Sequence, residues 1–390
     1  MTTGKEHATA TSIRRVPDRE RKLRIGVVAP PMLPVPPSGY GGIERVVALL
    51  VDGLVEKGHD VTLFAEASSV TRARLVSPIR SSLMLGDPAQ LADELYHNSA
   101  AYRDANEFDV IHDHTGTGAA FGAMVESDTL VVHTLHGPWT PYSRRLFELI
   151  GDRVQVVAIS HAQQTANALV RYAGVVYNGI DLRSHPFQSD KEDFLVFLGR
   201  VCAEKRPEIA IEVARAAKLP LVMLIKATEP NERAYFNEFI APRLSSDVTV
   251  LEEPSHSVKV NILGRARALL FPIDWPEPFG LVMIEAMACG TPVITTPLGA
   301  APEIVSEGVT GFLCTTKDEM IEAVNASVGL KAKDCRDRVE RHFSARAMVA
   351  HYERLYRDLH AGVAYSDGLS GIKRHLETTR VDQNAHRLGA

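Results

Sequence analysis

Two carboxylates, Glu277 and Glu285, stand with seven residues between them in the run Trp275-Pro-Glu277-Pro-Phe279-Gly280-Leu281-Val282-Met-Ile-Glu285-Ala-Met-Ala-Cys-Gly290-Thr-Pro-Val-Ile294. An apolar stretch at 268–272 precedes the run and reads as a buried parallel strand. Pro276 and Pro278 then turn the chain, Gly280 leads into a helix, Gly290 and Pro292 end it, and the next strand starts at 293–296. Glu277 therefore falls on the loop before the helix and Glu285 inside it, near its start. The amides of Phe279, Gly280, Leu281 and Val282 are the unpaired donors of a helix N-terminus, where a phosphate can sit. An anion cradle flanked by two hydroxyl acceptors suits a sugar nucleotide, a diphosphate between two polyols. Taken singly, either carboxylate is also what the helix dipole favours at a helix start.

The whole run, Glu277-Pro-Phe-Gly280 followed by Glu285-Ala-Met-Ala-Cys-Gly-Thr-Pro-Val-Ile294, resembles the signature of the retaining glycosyltransferases of family four. The resemblance extends over about residues 23–360. It implies an α/β chain of the GT-B fold, with two Rossmann-like, doubly wound parallel-sheet domains facing across a cleft. It also implies that Glu277 lies beside the donor sugar and that Glu285 hydrogen-bonds the nucleotide ribose. Gly41 and Gly42, in Ser38-Gly-Tyr-Gly-Gly42, resemble the pair that closes over the donor diphosphate. His136-Gly137 resembles the active-site His-Gly, with the imidazole near the reacting sugar, and Gly199-Arg200-x-x-x-x-Lys205 resembles the diphosphate clamp. The segment from Leu251 to Pro254 would lie where the base stacks, although Glu252 replaces a glycine often found there and Lys226 stands where many relatives carry a glycine-rich turn.

The activity implied is that of a retaining hexosyltransferase. It would move a sugar from a nucleoside-diphosphate sugar to a hydroxyl acceptor by front-face transfer, without metal or cofactor. Arg200, Lys205 and the helix N-terminus would neutralise the leaving diphosphate. Double displacement by two carboxylates is the mechanistic alternative. A GT-B sugar-nucleotide epimerase and a non-catalytic nucleotide-sugar-binding protein are the functional ones. A nicotinamide oxidoreductase is disfavoured, because the loop at 38–45 is not G-x-G-x-x-G.

These residues need rigid strand ends to hold them. A strand at 23–29, a Pro- and Gly-rich loop, a helix from Ile43 closed by Gly58, and the strand Asp60–Phe64 form a βαβ unit, which implies a parallel sheet with its ligand at the carboxyl ends. Strands at 109–114, 129–137 and 154–160 likewise end in polar residues, and Ser160 is placed to cap a helix from His161. His112 and His114 are expected on opposite faces of their strand as structural histidines, which speaks against a shared metal. Tyr40, Trp139 and Tyr142 are candidates to stack on the acceptor, or to pack. The pattern restarts with strands at 194–199, 219–226, 248–252, 268–272 and 293–296, with Pro207 opening a helix and Thr316 and Glu319 forming a capping box. The expected organisation is a disordered lead-in at 1–22, an acceptor-side domain at 23–185 and a nucleotide-sugar-binding domain at 192–345. The resemblance to GT-B enzymes further implies that a helix within 346–390 crosses back to the first domain and runs on into a tail. Residues 182–191 read as the linker, and closure is expected to hinge there and at 340–350.

At 390 residues the chain exceeds one ordinary core. Its net charge of −5 argues against nonspecific nucleic-acid binding. Cys202, Cys289, Cys314 and Cys335 form no C-x-x-C pair, so neither a zinc site nor a disulfide framework is indicated and a reducing cytoplasm fits. No apolar run is long enough to span a bilayer, and residues 1–22 lack the apolar core of a secretory signal. The basic cluster Arg14, Arg15, Arg19, Arg21, Lys22 and Arg24 leaves peripheral contact with the inner membrane face open.

Overall fold

The computed structural model describes residues 21–79 and 90–363. Most of the expected lead-in, and nearly all of the tail, lie outside the described residues. The first sheet takes β1 (Arg24–Val28), β2 (Asp60–Phe64), β3 (Arg74–Val76), β4 (Val110–Asp113), β5 (Leu130–Leu135), β6 (Gln155–Ala158) and β7 (Tyr172–Val175). Its order is β3-β2-β1-β4-β5-β6-β7, with every pairing parallel. The second takes β8 (Glu192–Arg200), β9 (Leu221–Lys226), β10 (Val248–Glu252), β11 (Ala266–Phe271), β12 (Val293–Thr295) and β13 (Gly311–Leu313), in the order β10-β9-β8-β11-β12-β13, again all parallel. Parallel strands are covered on both faces, so they read as apolar runs, and both sheets reverse order beside their first strand, where ligands of open α/β sheets bind.

The strands at 60–64 and 248–252 run where the sequence pattern puts them. β8 starts at Glu192, two residues before the apolar run. Arg265 pairs with the Glu192 carboxylate at 2.6 Å and Arg267 pairs with Asp193, so two polar residues gain partners at the start of this interior strand. The three-residue β3 is too short to show a period and was not legible.

The helix Gly42–Glu56 buries Val46, Val47, Leu50, Val51 and Leu54 against the first sheet. The helix Ala345–His360 buries Met348, Val349, Tyr352, Leu355 and Tyr356 at helical spacing in the same core, so the last described helix does cross onto the first sheet. A Cβ at Gly53 would come within 2.5 Å of Val349, so this glycine allows the two helices to touch. Tyr352 and Tyr356 are fully buried, each contributing on the order of 2–3 kcal/mol by area.

The chain passes between the sheets at two points that are pinned together. The Ile180 amide donates to the Phe343 carbonyl (3.0 Å) and the Ala345 amide to the Ile180 carbonyl (2.9 Å). Residues 182–191, read as a linker, are fastened to the second sheet's helices. Arg336 donates to the carbonyls of His185 (2.6 Å) and Ala288 (2.8 Å), and Lys191 to the Gly264 carbonyl (2.7 Å) and the Thr291 hydroxyl (2.9 Å). Among the described residues no helix is long and apolar enough to cross a membrane.

Candidate active site

Arg200 is the last residue of β8, and its guanidinium lies 3.6 Å from Glu232 and 3.8 Å from Glu204. The chain then turns tightly. The Lys205 amide donates to the Cys202 carbonyl (3.1 Å), and Arg206 takes a left-handed conformation (φ 48°) before Pro207 opens its helix. This turn sends Lys205 inward to an ion pair with Glu277 Oε2, its ammonium 4.9 Å from the Trp275 ring and 5.1 Å from that of Phe271. The Trp275 indole donates to the same oxygen (2.9 Å). The loop carrying Glu277 is strapped from behind, since its carbonyl accepts from the Ala300 amide (2.9 Å). Gly299 (φ 58°) lies so close to this backbone that a side chain there would collide with it.

The helix after this loop is Leu281–Ala288, with Gly280 (φ 91°) as its cap. Its open amide end therefore starts at Leu281 and Val282, two residues later than the sequence pattern suggests. The Phe279 side chain does not face the cleft. It is buried between Tyr177 and Phe343, with ring centroids 6.0 Å from each, because the apolar residue before the cap closes the core beneath. One turn into the helix, Glu285 takes an ion pair from Lys259 (2.6 Å), with His185 at 3.9 Å. Burial alone would raise the Glu285 carboxyl, but Lys259 and His185 outweigh it and hold the group at about 2.

The first sheet meets this site from the other side. Gly41 (φ 149°) caps the helix Gly42–Glu56, and a Cβ at Gly42 would stand 3.1 Å from the Leu281 side chain, so the glycine loop touches the start of the second unit's helix. Tyr40 reaches across as well, with the Lys226 ammonium 5.1 Å from its ring. Two further links fasten the halves. Ser160, the cap of the His161 helix as expected, donates its hydroxyl to the Pro278 carbonyl (2.7 Å). The buried Glu303 carboxylate accepts from the amides of His161 (2.8 Å) and Ala162 (2.7 Å) and from the Tyr177 hydroxyl (2.8 Å).

His136 follows β5 directly, with its Nε2 2.8 Å from Nδ1 of the buried His114. Burial, and secondarily the neighbouring His133, bring the His136 imidazole down to about 3. His112 and His114 do not point to opposite faces. Their ring centroids are 4.0 Å apart, because a strand's period of two puts residues i and i+2 on one side.

The remaining candidates scatter. Trp139 packs: its indole donates to the Gln163 carbonyl (3.2 Å) and its ring meets Phe147 and Tyr172 edge-on. Tyr142 stands 82% exposed on the helix Pro141–Ile150. Leu251, next to last in its strand, is half-buried against the second core, Pro254 lies just beyond the strand, and Glu252 is held outward by two 2.9 Å bonds from Arg233. A groove of about 550 Å³ lined by Tyr102, Arg103, Phe121 and Met124 contains none of these residues. Among the described residues, no group of three His, Cys, Asp or Glu could hold a metal ion.

A glycosyltransferase family 4 model matches residues 40–184, and the glycosyl transferases group 1 model matches residues 181–340. The chain is a group 1 glycosyltransferase. A D-inositol 3-phosphate glycosyltransferase of Mycolicibacterium smegmatis is 26% identical over 364 residues, covering 78% of this chain and 83% of that one. The crystal structure of AviGT4, a glycosyltransferase involved in avilamycin A biosynthesis, matches with a TM-score of 0.67 at 27% identity, over 88% of this chain and all of the other. Anabaena Alr3699/HepE, solved in complex with UDP and glucose, matches with a TM-score of 0.64 at 21% identity over 85% of this chain and 98% of its own, a likeness of fold.

In this glycosyltransferase the fold gathers Arg200, Lys205, Glu277, Glu285 and the amides of Leu281 and Val282 on the second unit, with Gly42 and Tyr40 in contact across the cleft. Sequence reasoning missed Lys259, Glu303 and the tie between His114 and His136. Glu303 lies in the run Gly299-Ala-Ala-Pro-Glu303, but its partners belong to the other unit, and no local pattern reveals them.

Proposed function

We propose that this glycosyltransferase transfers a hexosyl group from a nucleoside-diphosphate sugar to a hydroxyl acceptor with retention of configuration, by front-face substitution and without metal. The observation that carries the reading is the convergence of Lys205, Glu277 and the Leu281 helix start beneath the Gly41–Gly42 loop. A diphosphate at that helix start would meet two open amides, the Lys205 ammonium and the Arg200 guanidinium, which together neutralise the charge that grows as the glycosidic oxygen leaves. Glu277 and His136 would hold the sugar. Glu285, ionised and already anchored by Lys259, is an acceptor for ribose hydroxyls. As the anomeric bond lengthens, the leaving phosphate oxygen takes the proton of the incoming hydroxyl on the same face, so no carboxylate nucleophile is needed.

Uridine diphosphate is the first nucleotide to test, since HepE was crystallised with it. Guanosine and adenosine diphosphates follow, because Lys226 and Glu252 alter the segment where the base would stack. The relative named for D-inositol 3-phosphate makes a phosphorylated polyol the first acceptor to test. Calorimetric titration with the three diphosphates, followed by mass-spectrometric detection of transfer from the matching donors, tests the reading. One diphosphate should bind tightly, and the product should be the α-linked glycoside from an α-linked donor. An inverted anomer, or activity that requires a divalent cation, would refute the mechanism.

A further inference from the structure

His114 has no role in the site as described so far, yet among the described residues its side chain lies within hydrogen-bond distance of the His136 ring. It is 3% exposed, its Nδ1 lies 2.8 Å from His136 Nε2, and its own Nε2 has no partner among the described residues. Behind it lies His112, with both nitrogens occupied, Nδ1 by the Tyr356 hydroxyl (2.6 Å) and Nε2 by the Thr134 hydroxyl (2.7 Å). Thr134 in turn meets the Tyr352 hydroxyl (2.9 Å). His112 can therefore only stack on His114, at 4.0 Å, and the two tyrosines of the crossing helix brace the stack.

We propose that His114 is a positioning residue that fixes the ring orientation and tautomer of His136, so that His136 presents an Nδ1–H donor to the donor sugar. It rests on the reading of His136 as the residue that holds that sugar. One of the two facing nitrogens must carry the shared proton. Were it His136 Nε2, then His114 would carry its own proton on Nε2, a buried N–H without an acceptor. Buried orphan donors are rarer and costlier than buried orphan lone pairs. The proton therefore sits on His114 Nδ1, the His114 Nε2 lone pair is the unpartnered atom, and the single ring proton of neutral His136 is on Nδ1. That group donates to oxygen, the atom which hydroxyls and a leaving phosphate offer.

The deciding measurement is long-range proton–nitrogen correlation on the full chain labelled with ¹⁵N-histidine, with His136 assigned by its own substitution. The expected result is a neutral Nδ1–H tautomer of His136 at pH 7, changing to the Nε2–H form usual for free imidazole in His114→Leu. His114→Asn places an amide N–H where Nδ1–H stood and should restore the wild-type tautomer. With the donor active in the transfer assay, His114→Leu should lower kcat by roughly 10–100-fold with donor KM changed less than about threefold, and His114→Asn should recover most of the loss. An Nε2–H tautomer in the wild-type protein overturns the proposal without any His114 variant having to fold. So does a folded His114→Leu protein with unchanged tautomer or kcat. If no donor is active, the functional reading fails, while the tautomer still decides this one.

Discussion

On the second sheet's side of the cleft, carboxylates stand against lysines: Lys205 against Glu277, Lys259 against Glu285, and Lys226 against Glu232. On the first sheet's side the groups around His136 are imidazoles, although the carboxylates of Glu44 and Asp113 are buried in this half as well. Burial keeps the imidazoles of His112, His114 and His136 neutral, with values below that of a free histidine. One half thus carries formal charge, compensated in advance, where a diphosphate would arrive. Around His136 the other carries neutral hydrogen-bonding groups, where a sugar would react. Placing charge on both sides would cost desolvation twice, and a cation at His136 would compete with Lys205 for the same anion. The comparison suggests a division of labour: the second half binds by charge, and the first orients by neutral hydrogen bonds.

The strongest way to break the comparison is to remove charge from the second half. Lys205→Ala and Glu277→Ala should each lower kcat by about 10²–10³-fold, because each removes a group aimed at the reacting centre and leaves a buried charge unpaired. Steady-state transfer assays check this, and a loss below tenfold in either would sink the assignment. Next in size, Glu285→Gln and Lys259→Met should weaken binding of the recognised nucleoside diphosphate by roughly 10–100-fold, read by calorimetry, with little further effect on kcat. Equal affinities in wild type and both variants would show that this pair does not meet the nucleotide.

Acidification acts on the imidazoles first. The three histidines are held below the ordinary value near 6.5, so the unfolded chain binds protons first as pH falls. Their contribution to stability is full above pH 6.5 and declines below it, by up to about 1.4 kcal/mol per pH unit for each, until the folded value is reached, about 3 for His136. Glu285, held at about 2, is shifted in the same direction but from a lower starting value. Its contribution is full above the ordinary value near 4.5 and is lost only below that. Thermal melts between pH 7 and 5 should therefore show falling stability, with these three imidazoles contributing alongside His256 and His342 of the second half, which burial also holds low. A His136→Gln variant should flatten the slope, and an unchanged slope would refute this source. The smallest effect is expected from Tyr40→Ala, which removes the contact with Lys226 and should weaken donor binding by about two- to fivefold.

The donor side was the more legible half for a physical reason. Arg200, Lys205, Glu277 and Glu285 sit at fixed offsets from strand ends and a glycine cap, and those offsets are local. Even there the helix began two residues late, because Gly280 needs its left-handed turn before the first helical residue and Phe279 closes the core. The first half was less legible. Trp139 looks like a stacking platform but packs against Phe147, and the opposite-face reading of His112 and His114 misjudged a period of two. Glu303 binds two amides and a hydroxyl from the other unit, which no spacing along the chain reports.

By itself the sequence determined the two parallel sheets, the helical character of the last segment, and the chemistry available at the ends of β8 and β11. Apolar runs, cap residues and glycines act over a few neighbours and can be read one segment at a time. Only the tertiary structure decided which side chains meet. The pairing of Lys259 with Glu285, the contact of Gly42 with Leu281 and the proton shared by His114 and His136 each join segments between 22 and 239 residues apart, whose approach depends on how whole layers pack.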